Sequence, residues 1–453
     1  MKTATLIRKQ LLIAAIFFLF STISFARTFS PSDQPDSPEI WSGKLEVQGT
    51  RLSIVFHLDG QKPTMDSPDQ GVKGIPIVVQ RTDYGGISIE IPSIAASYKG
   101  NMLFNKILGT FTQRGFSLPL TLTPGEQKLA RPQTPVGPFP YVSEELTFFN
   151  GDVALQGTLV LPQACTRATP VLLMVTGSGQ QNRDEEVFEH KPFAVIADAL
   201  ARAGIATLRY DDRGIGGYSG NINDCTTEDF KNDAAAGIEL LRTRFDNVGV
   251  IGHSEGGAIA LMLAAEQKVD FVVSLAGMVI SGAQTLVWQN RLSLKELGFA
   301  DADIDAYCTL LEKAFAASVQ GGPLPDSDAC GLLPESLKKN YQAVLEQIRL
   351  PYLHHFLELD LRPLLGRINC PVLALNGSKD SQVDPDGNLA ALRSGLPNTG
   401  TNKIEVLPGL NHIFQHCTTG SASEYRDIEE TFAPEALDKI ISWVSELYQE
   451  ACS

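Results

Sequence analysis

Basic residues are scarce in this chain: 37 Lys and Arg stand against 52 Asp and Glu, a formal charge of −15. Removal of the first 26 residues, which hold Lys2, Arg8 and Lys9 and no acid, takes the charge to −18. Polyanions are bound by basic stripes, so nucleic acid is not expected as a partner. The low polarity of a disordered chain's opposite is also plain, since charged residues are 20% and hydrophobic residues 43%; a sizeable core is available. Past residue 26 no apolar run is long enough to span a bilayer, and stable membrane insertion of the mature part is not expected. The seven cysteines (Cys165, Cys225, Cys308, Cys330, Cys370, Cys417, Cys452) form no CxxC pair and no zinc-ligand spacing, which argues against a metal centre. Their odd number leaves at least one unpaired. Cys308 and Cys330 share one helical insertion and are the preferred disulfide pair.

What is present begins with a leader. Lys2, Arg8 and Lys9 precede the apolar run Leu11 to Phe20, and Ser24-Phe25-Ala26 is followed by Arg27. A charged start, a short apolar stretch and a small-residue end are the parts of a signal peptide. Residues 1–26 are expected to be removed and the protein to be exported, periplasmic or secreted.

At 453 residues the chain exceeds one ordinary core, so more than one unit is expected. Residues 27–40, rich in Ser, Pro and Asp, read as a flexible lead-in. Between 41 and 122 short β-prone runs (Leu45–Val47, Leu52–Phe56, Ile75–Val79, Ile87–Ile91, Ile107–Thr112) alternate with turn signals at Asp59-Gly60, Gly85-Gly86 and Lys99-Gly100, predicting a small antiparallel barrel or sandwich. Five prolines in 123–140 mark a linker. From 141 to 453 apolar strands alternate with helical patterns, as in a mostly parallel sheet covered on both faces. An interrupted helical stretch at about 281–365 lies between two such strands and predicts a cap.

One grouping carries chemistry. Strand Val248 to Ile251 runs directly into Gly252-His253-Ser254-Glu255-Gly256-Gly257 and then a helix. A serine on a tight strand-to-helix turn is thrust out at the sheet's edge, and glycines are required where side chains would collide. Ser254 is the expected nucleophile. A serine hydroxyl needs a base, oriented by an acid, and in this fold the order is Ser, Asp or Glu, then His. Only His412 and His416 come late enough. His412 follows Pro408-Gly409-Leu410-Asn411 on a flexible turn and is preferred. The acid is sought after the preceding strand, where Asp380 is preferred over Asp384, which precedes a proline and suits a helix cap. The oxyanion hole is expected from the N–H of Glu255 and from Ser178 or Gly179, in the turn after Val171–Val175. No phosphate-loop ending follows Gly179. Such acyl transfer requires no cofactor and no metal.

The chain resembles bacterial α/β-hydrolase carboxylesterases that carry a β-rich N-terminal domain. The resemblance rests on Gly177 to Glu185, His190 to Phe193, Arg209 to Gly216, Gly252 to Gly257, Leu375 to Val383 and Gly409 to Gln415, and in the leading domain on Asp66 to Gly71 and Ser117 to Leu120. It implies a small-molecule ester substrate with a short acyl chain, cleaved by Ser254, His412 and Asp380. Gly217-Tyr218, inserted before Ser219, departs from the family's pattern and bears on local loop shape alone. Arg213 and Asp212 are expected to order that loop. A peptidase of the same fold is the alternative, though its usual relatives carry a propeller that residues 41–122 are too few to build. A non-catalytic binding module is the other. Oligomeric state is not legible.

Overall fold

The computed structural model describes residues 39–449 except 48–49, 59–61, 69–71, 82–84, 114, 126–128, 216–219, 330 and 332. The expected signal segment, most of the lead-in, the Gly217-Tyr218 insertion and Cys330 lie outside the described residues. The described chain divides into two compact units between Ala130 and Arg131.

The first unit is built from β1 (Ile40–Val47), β2 (Thr50–His57), β3 (Thr64–Ser67), β4 (Val72–Pro76), β5 (Val78–Arg81), β6 (Gly86–Ile91), β7 (Ala96–Leu103), β8 (Lys106–Gln113) and β9 (Phe116–Pro124). The strands form one antiparallel sheet in the order β4-β3-β2-β1-β9-β8-β7-β6-β5. Phe56 on β2 and Tyr98 on β7 are four strands apart in that order, yet their ring centroids are 5.8 Å apart. Strands spaced about 4.8 Å apart would separate them by some 19 Å in a flat sheet, so the sheet curls round a shared core. Lys99-Gly100 is not the turn the sequence suggested; it lies inside β7. A Cβ on Gly100 or on its register partner Gly109 would come within 2.7 or 2.5 Å of the Tyr98 side chain. These two glycines make room for a buried phenol, which is a packing need with the same sequence mark as a turn.

The second unit begins with the hairpin β10 (Val142–Asn150) and β11 (Val153–Leu161), which the sequence reading did not identify. Then come β12 (Val171–Val175), α1 (Pro192–Arg202), β13 (Ala206–Tyr210), α2 (Thr227–Arg242), β14 (Val248–His253), α3 (Glu255–Ala265) and β15 (Phe271–Leu275). Four helices follow: α4 (Gly282–Glu296), α5 (Asp301–Val319), α6 (Glu335–Gln347) and α7 (Pro351–Glu358). The unit closes with β16 (Val372–Gly377), α8 (Pro385–Gly395), β17 (Lys403–Leu407) and α9 (Pro434–Gln449). Sheet order is β10-β11-β13-β12-β14-β15-β16-β17, parallel from β13 to β17.

Alternate residues of a strand face opposite sides, and both sides are covered here. Leu173 and Val250 pack with α2 and α3, whereas Leu172 and Ile251 pack with Phe193 of α1 and Trp443 of α9. That explains why these strands read as unbroken apolar runs. Every residue of α3 is buried, as expected of a helix enclosed on all sides. This is the α/β-hydrolase architecture with a helical insertion between β15 and β16. Within the insertion, Cys308 is a buried thiol beside Val287 O at 3.9 Å; Cys330, its expected partner, lies outside the described residues. Tight packing of α5 holds Cys308 in the apolar core, where it behaves as a small hydrophobe.

Candidate active site

At the end of β14 the chain turns so sharply that Ser254 has φ 56° and ψ −118°, a strained backbone for a residue with a side chain. Its N–H bonds to Leu275 O at 2.9 Å, and its carbonyl accepts from Gly257 N and Ala258 N at 3.0 and 3.2 Å. The strain is held by crowding. A Cβ on Gly252 would lie 2.0 Å from Gly256 O, and one on Gly256 would lie 2.1 Å from Val175 O. Gly252→Ala is therefore expected to destabilise by at least about 1–3 kcal/mol, seen as a Tm lowered by several degrees in a thermal melt. An unchanged Tm would mean that the turn relaxes freely.

After β16, Asp380 is buried, and its Oδ1 accepts from Gln382 N and Val383 N at 2.7 and 2.9 Å. Its Oδ2 is 2.8 Å from Nδ1 of His412, which is buried too. His412 stands on the loop after β17, where a Cβ on Gly377 would meet Leu410 O at 2.3 Å; this close approach brings the two loops together. Asn411 and Gln415 brace the loop through Asn411 Nδ2 to Gln415 Oε1 at 3.0 Å and Gln415 N to Asn411 Oδ1 at 2.9 Å. His416 lies elsewhere, exposed between Glu430 and Glu435 at 2.9 and 3.0 Å. Asp384 caps α8 by accepting from Asp386 N and Gly387 N.

Ser254, His412, Ser178, Gly179 and Glu255 line one cavity of about 370 Å³, a volume suited to a small molecule. No hydrogen bond joins Ser254 and His412 directly; such bonds often tighten only when substrate binds. Glu255 is the first residue of α3, where N–H groups have no helical partner. The Gly177 N–H is taken by Glu185 Oε1 at 2.7 Å, whereas those of Ser178 and Gly179 have no acceptor among the described residues. A Cβ on Gly177 would lie 3.2 Å from Ser254 Cβ, so this loop lies directly against the serine.

Buried carboxylates fix the surroundings. Asp212 accepts from Gln181 N and Thr176 Oγ1, both at 2.9 Å, and burial pushes its pKa well above the usual carboxylate range. Arg213 makes a two-pronged bond to Asp233, with both contacts at 2.6 Å. Glu255 accepts from Thr227 Oγ1 at 2.6 Å and from Tyr352 of α7 at 2.5 Å. His190 is buried against Tyr425 O and Thr431, and burial lowers its pKa to about 4, so it stays neutral. Two groups missed by sequence reasoning are His253 and Glu185, joined at 2.9 Å behind the serine turn. Both sat inside the motifs already singled out, but only contact geometry gives them a partner. Among the described residues no cluster could hold a metal ion, and no helix is long and apolar enough to cross a membrane.

A family model described as "Serine aminopeptidase, S33" matches residues 189–416, half of the chain. Esterase EstD of Thermotoga maritima is 27% identical over 266 residues, covering 57% of this chain and 58% of that protein. A pimeloyl-acyl-carrier-protein methyl ester esterase of Chromobacterium violaceum is 31% identical over 170 residues, covering 37% of this chain and 65% of that one. The chain thus matches under two thirds of the length of these curated relatives. Est1E of Butyrivibrio proteoclasticus, solved with ferulic acid, superposes with a TM-score of 0.40 at 17% identity over 67% of this chain and 98% of the other; a likeness of that degree carries no weight here. From its sheet order, its serine turn and the family match over half its length, the chain is a member of the α/β-hydrolase family described as serine aminopeptidase S33.

Proposed function

We propose that this hydrolase is an exported serine carboxylesterase that cleaves short, uncharged esters through an acyl-enzyme on Ser254. The observation that carries the reading is the 2.8 Å contact between His412 Nδ1 and Asp380 Oδ2, in the cavity that Ser254 lines. A hydrogen held on Nδ1 by the carboxylate leaves Nε2 as a lone pair, which is the form that accepts the seryl proton. Ser254 then attacks the ester carbonyl, and the oxyanion is stabilised by the N–H groups of Glu255 and of Ser178 or Gly179. His412 returns the proton to the leaving alcohol, and water releases the acid by the reverse traffic. The esterase names of the relatives favour this reading, and the signal-like residues 1–26 favour export.

Hydrolysis of p-nitrophenyl acetate, butyrate and octanoate by residues 27–453, with fluorophosphonate labelling mapped to Ser254, tests it. Turnover of the short esters and a label on Ser254 are expected. The family description favours a second reading, cleavage of an amino-terminal residue. Of the carboxylates lining the cavity, Glu255 has both oxygens hydrogen-bonded, to Thr227 and Tyr352, whereas the bonds of Glu185 to Gly177 and His253 both use Oε1, so Glu185 Oε2 is the group that would have to hold a substrate ammonium. Faster turnover of an aminoacyl anilide than of the butyrate ester would establish the peptidase instead.

No Lys or Arg is among the described residues that line the cavity. An acyl group ending in a carboxylate would enter beside Glu185 and Glu255, with both ring nitrogens of His253 already taken by Glu185 and the His412 carbonyl, and like charges at close quarters cost several kcal/mol. The kcat/KM for p-nitrophenyl hemisuccinate is expected to fall below that for the butyrate ester by about 100-fold. Equal values would show that the acyl group stays in bulk water.

A further inference from the structure

His253 precedes the nucleophile and takes no part in the mechanism above, yet it is buried with both ring nitrogens engaged. Nδ1 lies 2.9 Å from Glu185 Oε1, and Nε2 lies 2.9 Å from the main-chain oxygen of His412. A carbonyl oxygen only accepts, so Nε2 carries a hydrogen. Glu185 Oε1 also accepts the Gly177 N–H at 2.7 Å, and a carboxylate oxygen can take two donors at once, so opposite an ionised Glu185 the ring's Nδ1 carries a second hydrogen. Two N–H groups on one imidazole make an imidazolium. We propose that His253 is protonated at neutral pH and, with Glu185, acts as a positioning residue that straps together the Gly177 turn, the serine turn and the His412 loop.

The charged groups around the ring agree. Glu185 faces it from the loop after β12, Asp380 acts on it from the loop after β16, and the His412 ring centroid is 4.6 Å away. Phe414 covers another side at 6.4 Å. Burial opposes the charge, but Glu185, the His412 carbonyl and Asp380 outweigh it, and the His253 pKa is held above the ordinary histidine value. The strap is therefore closed at neutral pH and opens as pH rises through that raised value. Loss of the Nδ1 hydrogen leaves a lone pair facing a carboxylate; loss of the Nε2 hydrogen leaves one facing a carbonyl. In either case one bond breaks and the three loops lose their common tie.

The functional consequence rests on the serine-esterase reading; the protonation state does not. Wild-type kcat/KM is expected to show an alkaline fall. Glu185→Gln keeps an oxygen for Gly177 and removes the charge, so that fall moves to lower pH by about 1–3 units. His253→Gln abolishes it and lowers kcat by about 10–100-fold with little change in KM, as misplacement of a reacting group does. An alkaline fall at the same pH in all three proteins overturns the proposal. Protonation is read without turnover, by NMR of protein with 15N-labelled histidine. Two ring N–H signals lost together in His253→Gln are expected at pH 7, and a single one in folded wild type overturns the proposal whatever the activity. Two signals in a protein that hydrolyses no ester uphold the strap and sink the esterase reading alone.

Discussion

Ser254→Ala is expected to lower kcat for p-nitrophenyl butyrate by a factor on the order of 10⁴–10⁶ and to abolish fluorophosphonate labelling. The size follows from what is lost. On the proposed mechanism there is no acyl-enzyme without the hydroxyl, and only the oxyanion donors and substrate binding would remain to help a water attack directly. Folding should survive, because the strained turn is held by main-chain bonds of Ser254 and by the close packing of Gly252 and Gly256, none of which involves Oγ. Comparable turnover by the variant, at equal Tm, would transfer the chemistry to another residue.

Asp380→Asn should cost almost as much, about 10⁴-fold in kcat, for a different reason. The amide oxygen can still accept from Gln382 N and Val383 N, so the loop keeps its shape. What changes is the group facing His412 Nδ1: an NH₂ donor favours the tautomer with its hydrogen on Nε2, which has no lone pair for the serine. Asp384→Asn is the matched control. Asn caps a helix about as well as Asp, and the Asp384 side chain is hydrogen-bonded to Asp386 N and Gly387 N at the start of α8, so activity should be near wild type. A large loss there with none at Asp380 would reassign the acid.

These candidates could be drawn from the sequence because each stands in an order the chain itself displays. The serine turn is local, written in six consecutive residues, and its place between strand and helix follows from burial and glycine spacing. The acid and base could be sought by position after successive strands, and contact geometry then separates the preferred residue from its neighbour, His412 from His416 and Asp380 from Asp384. Other features depend on contacts far apart in sequence. The His253–Glu185 pair spans 68 residues and the Tyr352–Glu255 bond spans 97, and neither has a local signature. The hairpin β10–β11 escaped notice because apolar residues fall on both of its faces: Phe148 and Leu155 are buried while Val142 and Phe149 are exposed, so no clean alternation marks it. Lys99-Gly100 misled for a physical reason: glycine marks both a turn and a place where a neighbouring ring needs space, and Tyr98 supplies the second.

Arg131 donates to the main-chain oxygens of Phe188, Arg426 and Ile428, and Gln133 bonds to Thr431 N and Phe432 O. The proline-rich stretch is thus tethered along its later half: it belongs to the catalytic unit, fastened to the segment that follows the His412 loop. Recombination that trades one leading β domain for another therefore has a narrow seam, upstream of Arg131. A crossover a few residues later would deliver the new domain and remove the clasp that steadies the enzyme receiving it.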